Sequence, residues 1–283
     1  MTKKPVMKSF LFCTSYINNE ISGQHSLRYK KWIEYYSSIK KGLGVEYIFV
    51  IDDGSAIQDL AMGDEIGLIN MDRGLPARLS KKINILTFRD HLGRQVQNYA
   101  AYPGWWRSFT YSVKIADKYG FKKIVHIESD FYVISQRLRD FLKRLKCGWT
   151  ALYSSFYHFP ETAIQIICQD CFAPLIEICA KAESSKYEFD RVAEEVLPFT
   201  SVIRHFRGDR IWEPQVLNDW VSGLIETEDP DYFGQLPTII RPLSGAEFNG
   251  FIRQLKVEKN SNPDLTVNHV LEMLAARNAV LKL

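Results

Sequence analysis

Two stretches, VEYIFVIDDGS at 45–55 and KIVHIESDFYV at 123–133, are built alike: a strand-like apolar run closed by carboxylates. Val45 to Ile51, and Ile124, Val125 and Ile127, show the near-continuous hydrophobicity of a strand covered on both faces rather than the alternation of a half-exposed one. Such strands need helices above and below, and the segments between them read that way. Residues 26–41 offer Leu27, Trp32, Ile33, Tyr36 and Ile39 along one side; 105–119 form a helix that Gly120 stops; 135–146 form the next. Ser9 to Thr14, KINILTF at 82–88 and GWTALYSS at 148–155 supply further strands, while 59–69 read as a short helix. The alternation predicts an α/β fold, a single domain with a mostly parallel central sheet flanked by helices. Ligands of such sheets collect at the carboxyl ends of strands, so Asp52-Asp53 and Glu128-Ser129-Asp130 are expected on one edge.

After about residue 155 the rhythm weakens. Pro160, Pro174, Pro198, Pro214, Pro230, Pro237 and Pro242 divide shorter pieces, with helices expected over 174–186 and 187–196. Residues 1–155 are read as the ligand-binding half, and 156–283 as a substrate-shaping and C-terminal helical half of the same domain. Residues 266–283 place Val267, Val270, Leu271, Leu274 and Leu281 near one side of a terminal helix.

Composition excludes several classes. At 283 residues, with 46% hydrophobic and 24% charged residues, the chain can bury a large core and has no disordered or fibrous bias. A net charge of +3 is too small to argue for nucleic acid. No run reaches the roughly 18 apolar residues of a membrane span, and MTKKPVMKSFLFCTSY is too interrupted for a signal peptide. Five cysteines without such a peptide favour free thiols in a reducing compartment, and CQDC at 168–171 lacks the second pair or close histidine that zinc needs. The expected location is the cytoplasm, with room for peripheral contact at the inner face of a membrane.

The acidic steps carry the chemistry. Two carboxylates separated by one residue can give oxygens to Mg²⁺ or Mn²⁺ while the same ion takes phosphate oxygens from a ligand. Asp and Gly in DDGS are also ordinary turn formers, and ESD alone is a common surface sequence. There is no G-x-x-x-x-G-K-[ST] and no G-x-G-x-x-G after the first strand, which argues against a P-loop and a standard nicotinamide fold. His126, inside a strand, reads as a packed or hydrogen-bonded histidine. Trp105 and Trp106 read as helix-to-sheet packing, with Arg107 beside them facing the pocket.

The order FCTSY, FVIDDGS, HLGR, then GWWRSFTYSVKIADKYGFKKIVHIESDFYV resembles nucleotide-sugar glycosyltransferases of the GT-A fold, especially the inverting family 2 type. The resemblance spans about residues 9 to 135. It implies a transferase that moves a sugar from a nucleotide-sugar donor, UDP-sugar favoured, to a carbohydrate or lipid-linked acceptor, with Mn²⁺ or Mg²⁺. Surface polysaccharide or lipopolysaccharide assembly fits it. Carried over, Thr14 and Tyr16 line the base region and Asp53 contacts the nucleoside. His91 and Arg94 lie near the donor, and Asp130 ligates the ion. Glu128 stands where the family has Asp and shares the nucleotide or the ion.

The second half should supply the catalytic base, a carboxylate that takes the acceptor's proton. HFRGDRIWEPQ at 205–215 is the richest cluster: Asp209 is the first candidate, with Glu213 and Glu195 behind it. Arg207 and Arg210 would neutralise the diphosphate, Trp212 would stack on a sugar face, and His205 is a candidate third metal ligand, with His158 and His269 also conceivable. Two other readings stand beside the transferase. A sugar-phosphate nucleotidyltransferase should carry a Gly-rich basic loop after the first strand, which CTSYINNEISGQ lacks. A non-catalytic carbohydrate-binding protein with the same shell would account for the Glu at 128.

Overall fold

The computed structural model describes residues 8–16, 25–55, 63–93, 102–154, 158–210, 231–234, 257 and 261. Among these, β1 (Ser9–Ser15), α1 (His25–Leu43), β2 (Tyr47–Asp52), β3 (Ile66–Asn70), β4 (Ile83–Thr87), α2 (Pro103–Tyr119) and β5 (Lys123–Ile127) follow in chain order. The five strands pair in parallel as β3-β4-β2-β1-β5. The sheet then continues through β8 (Phe159–Cys168), antiparallel to β5, to β7 (Trp149–Ser154) and β9 (Ser201–Ile203). The result is a mixed, largely parallel α/β sheet, and it crosses the expected division at residue 155.

Alternate residues of each strand feed two cores. Leu11, Cys13, Ile48, Val50, Val125 and Ile127 meet Trp32 and Tyr36 of α1 and Leu138 and Leu142 of α3 (Gln136–Arg144). Phe10, Phe12, Phe49, Ile51 and Ile124 meet Trp106, Phe109 and Val113 of α2 and Leu175 and Cys179 of α4 (Phe172–Ser184). This two-sided burial is why the strands read as continuous apolar runs. Gly120, at φ 67, closes α2 by donating its N–H to Ala116 and Asp117. Ser135 caps α3, its hydroxyl oxygen accepting from Leu138 N at 3.1 Å.

After β5 the chain turns at 128–130, where Phe131 N donates to Glu128 O at 3.0 Å, and enters β6 (Phe131–Val133). This short strand pairs antiparallel with β11 (Tyr232–Gly234), which pairs in parallel with β10 (Gly208–Arg210). Two expectations change. Within 59–69 the structure places β3 from Ile66, its Ile69 buried in the sheet, and of 187–196 only α5 (Ala193–Val196) is helical. The expected terminal helix lies outside the described residues. No described helix is long and apolar enough to cross a membrane. None of the five cysteines, all of them described, is in a disulfide; Cys147 is exposed and the other four are buried, and burial pushes the Cys168 thiol up to about 12.

Candidate functional site

The end of β2 is a tied knot. Asp52 has no exposed surface; its carboxylate accepts Ser55 N at 2.6 Å, Ser55 Oγ at 2.7 Å and Thr87 Oγ1 at 3.3 Å. Burial raises its carboxyl pKa, against the pull of those hydrogen bonds. Asp53 faces the next loop. Its Oδ2 accepts Leu92 N at 3.2 Å and Gly93 N at 2.8 Å, and its Oδ1 accepts from Arg107 of α2, which also donates to Asp90 O. His91 Nδ1 lies 2.9 Å from Asp53 O and 3.1 Å from Oδ2, so that nitrogen carries its hydrogen. DDGS and HLG are therefore two halves of one latch, which α2 locks. Gly104 is required in that lock, because a Cβ there would run into the Asp53 carboxylate. Gly54, at φ 91, passes against the Asp90–His91 backbone for the same reason.

The end of β5 is tied more loosely. Glu128 keeps 17% of its side chain exposed. Its Oε2 accepts Thr14 Oγ1 at 2.7 Å, and its Oε1 accepts Trp105 Nε1 and lies 3.2 Å from His126 Nε2. Burial pushes this carboxyl upward, but the charge of His126 and the bonds from Trp105 and Thr14 outweigh it, holding the pKa below its ordinary value. Thr14 at the end of β1 thus bridges toward β5, and the expected common edge for the two acidic steps is what the register produces. Asp130 is half-buried in the turn that follows.

Tyr16, 40% exposed just past β1, stacks on His91 with ring centroids 3.5 Å apart. The small sheet brings the downstream cluster in: Arg210 is in register with Gly234, and Gly234 with Phe131, beside Asp130. Asp209 and Arg210 therefore lie two strands from the acidic turn, roughly 10 Å at the usual strand spacing. Arg207 is held by its backbone, its N–H donating to Asp231 Oδ2 at 2.7 Å. His205 is exposed and sits against Phe141 and Phe206. Glu195 is exposed on α5, whereas its neighbour Glu194 accepts from Thr162 Oγ1 at 2.7 Å. His158, at φ 58, forms the turn before β8. Arg94, Trp212, Glu213 and His269 lie outside the described residues. Among the described residues, no three His, Cys, Asp or Glu side chains are gathered as a metal site.

No family model matches this chain, and no curated protein does. Among solved structures it is similar to a glycosyltransferase involved in the glycosylation of the major capsid of PBCV-1. That match has 9% identity and a TM-score of 0.43, over 87% of this chain and 99% of that one.

Several residues of the site go unassigned in sequence reasoning. Arg107 is expected to face the pocket but without a partner, and Trp105 reads as packing; both sit on α2 and act on carboxylates 54 and 23 residues away. Thr87 does the same for Asp52 across 35. On β8, the fully buried Glu161 accepts Ala163 N at 2.9 Å. Only the placement of two Trp and an Arg at the start of a helix after Pro103-Gly104 hinted that this turn meets the edge.

Proposed function

We propose that this chain is a GT-A-like glycosyltransferase that moves a sugar from a nucleotide-sugar donor, a UDP-sugar favoured, to a carbohydrate or lipid-linked acceptor, with inversion. The observation that carries the reading is the single sheet edge on which β1, β2 and β5 deliver Thr14, Asp53 and Glu128, with the small sheet setting residues 208–210 two strands from the Asp130 turn. The Tyr16–His91 stack at its rim suits a nucleobase face, and Thr14 with Glu128 suits hydroxyl groups.

The donor set fits a divalent ion through Asp130. Glu128 already receives a hydrogen bond on each oxygen, so it is the poorer ligand, and Mg²⁺ or Mn²⁺ commonly takes one or two carboxylates and fills the rest of its shell with substrate phosphates and water. Bound there, such an ion would offset charge developing on the departing diphosphate. Arg207 and Arg210 are the proposed side-chain partners of that diphosphate. Asp209 is the proposed base, from the strand nearest the turn that the downstream cluster supplies. The expected setting is the cytoplasm, in polysaccharide or lipopolysaccharide synthesis.

A second reading has one observation in its favour. Asp53 is held by four protein groups and is 5% exposed, as it would be in a shell that keeps the fold and binds sugar without transfer. Calorimetry with UDP and with GDP, each with and without Mn²⁺, tests the first reading. Mn²⁺-dependent binding of one of them is expected, and no binding under any condition would sink it. A donor screen that detects released nucleoside diphosphate then separates transfer from simple binding.

A further inference from the structure

We infer that His126 is a positioning residue: it holds the Glu128 carboxylate ready for the nucleotide ligand, and a bulge in β8 fixes its imidazole for that task. The inference rests on the transferase reading of the edge. It starts from a break in register. Ala151 of β7 pairs with Gln165, but the next residue, Leu152, pairs with Glu161, leaving 162–164 as extra residues on β8. Against β5 the ladder stays regular, Ile127 opposite Ile164 and His126 opposite Gln165. A bulge gives up ladder bonds and is held in place by something else. Here Glu161 Oε1 accepts Ala163 N, Thr162 Oγ1 donates to Glu194, and Thr162 O accepts Gln165 Nε2 at 2.5 Å.

The same Thr162 carbonyl lies 3.2 Å from His126 Nδ1. A carbonyl only accepts, so Nδ1 carries a hydrogen; the carboxylate of Glu128 also only accepts, so Nε2 meets it by carrying a hydrogen as well, and the ring serves both partners as an imidazolium. Nε2 has no hydrogen-bond partner of good geometry and stands 3.2 Å from Oε1. The ring is fully buried, with Phe12 at 4.7 Å, Phe109 at 5.1 Å and Trp105 at 6.1 Å between centroids, so the contact to Glu128 is made away from solvent.

The physical gain follows from side-chain length. Glu has one more torsion than Asp, so fixing a Glu on binding costs more rotamer freedom. Trp105 and His126 on one oxygen and Thr14 on the other fix it before the ligand arrives, so binding does not carry that cost.

Two substitutions divide the two nitrogens of the ring. His126→Gln places an amide N–H near the Nε2 position and can still meet Glu128; His126→Asn mimics Nδ1 and can meet only Thr162. Each is titrated with UDP and with GDP in Mn²⁺, beside Glu128→Gln and the double variant His126→Asn/Glu128→Gln, with thermal unfolding measured in parallel. The expected result is Gln within about threefold of the wild type, Asn about tenfold weaker, and the double variant no weaker than Glu128→Gln alone. A purely structural histidine predicts the opposite order, Asn tolerated and Gln not, and that order overturns the inference, as do additive losses. If the Asn variant does not fold, a well-folded Gln variant that has lost binding is enough to overturn it. Wild-type protein that binds neither nucleotide removes the transferase reading and this role with it, whereas wild-type binding matched by the Asn variant removes only the role.

Discussion

Lys123 opens β5 with its ammonium inside the protein. It is 2% exposed, and Nζ donates to Leu142 O at 3.1 Å and Lys143 O at 3.2 Å, near the end of α3 where carbonyls lack helical partners. Burial pushes its pKa down to about 8; Cys168 opposes, and Lys146 and Lys143 add to the fall. Between pH 8 and the unfolded value near 10.4, the unfolded chain holds this proton and the folded chain does not. Stability from this group therefore rises with pH across that window and is lost as pH falls back through 8. The full span is worth roughly 3 kcal/mol at about 1.4 kcal/mol per pKa unit. Urea unfolding at pH 7.5 and 9.5, for wild type and Lys123→Met, checks this. The wild type should gain stability relative to the variant as pH rises, and equal slopes would count against a lowered pKa for the buried Lys123.

At the scale of elements, what the sequence disclosed depended on how local the cause was. Tyr47–Asp52 and Lys123–Ile127 were legible because burial on both faces leaves an unbroken apolar run, and α2 and α3 because Gly120 and Ser135 bound them. FPETAIQIIC did not show itself as β8, since Pro160 and the buried Glu161 interrupt it and the bulge that uses them is tertiary. Of the site, the two acidic steps could be read, and Arg107 as facing the pocket, but not which group holds which carboxylate, because Arg107, Trp105 and Thr87 reach them from distant segments. The small sheet was equally hidden, and its hinge is one side chain. Asp231 is fully buried, accepts from Ser135, Arg137 and Arg207 N, and pairs its own backbone with Ile134 and Arg207. Asp231→Asn removes the charge that Arg137 neutralises and should cost about 2–4 kcal/mol, in line with breaking a buried hydrogen-bonded pair. Hydrogen exchange should quicken at 131–133, 208–210 and 232–234 while the amides of β1 and β5 stay protected. Uniform loss of protection would show that the small sheet is not a separate cooperative unit.

For the whole molecule, the two sheets divide the labour. The large one carries Asp53 and Glu128 on strands that run the same way from a doubly covered core; the small one adds Asp209 and Arg210 through a register only three residues long. The proposed function divides roles along the same line. It assigns Asp130, in the turn leaving the large sheet, to donor and ion, and Asp209, on the outer strand of the small one, to the acceptor. Asp130→Asn should weaken Mn²⁺-dependent UDP binding by about 10- to 100-fold, while Asp209→Asn should leave it within about threefold and lower transfer by at least 100-fold, the usual worth of a positioned base. The first is read by calorimetry and the second by release of nucleoside diphosphate with acceptor present. Equal effects of both substitutions on both quantities would mean that the turn and the outer strand act on the same group, and the assignment of Asp209 as base would fall.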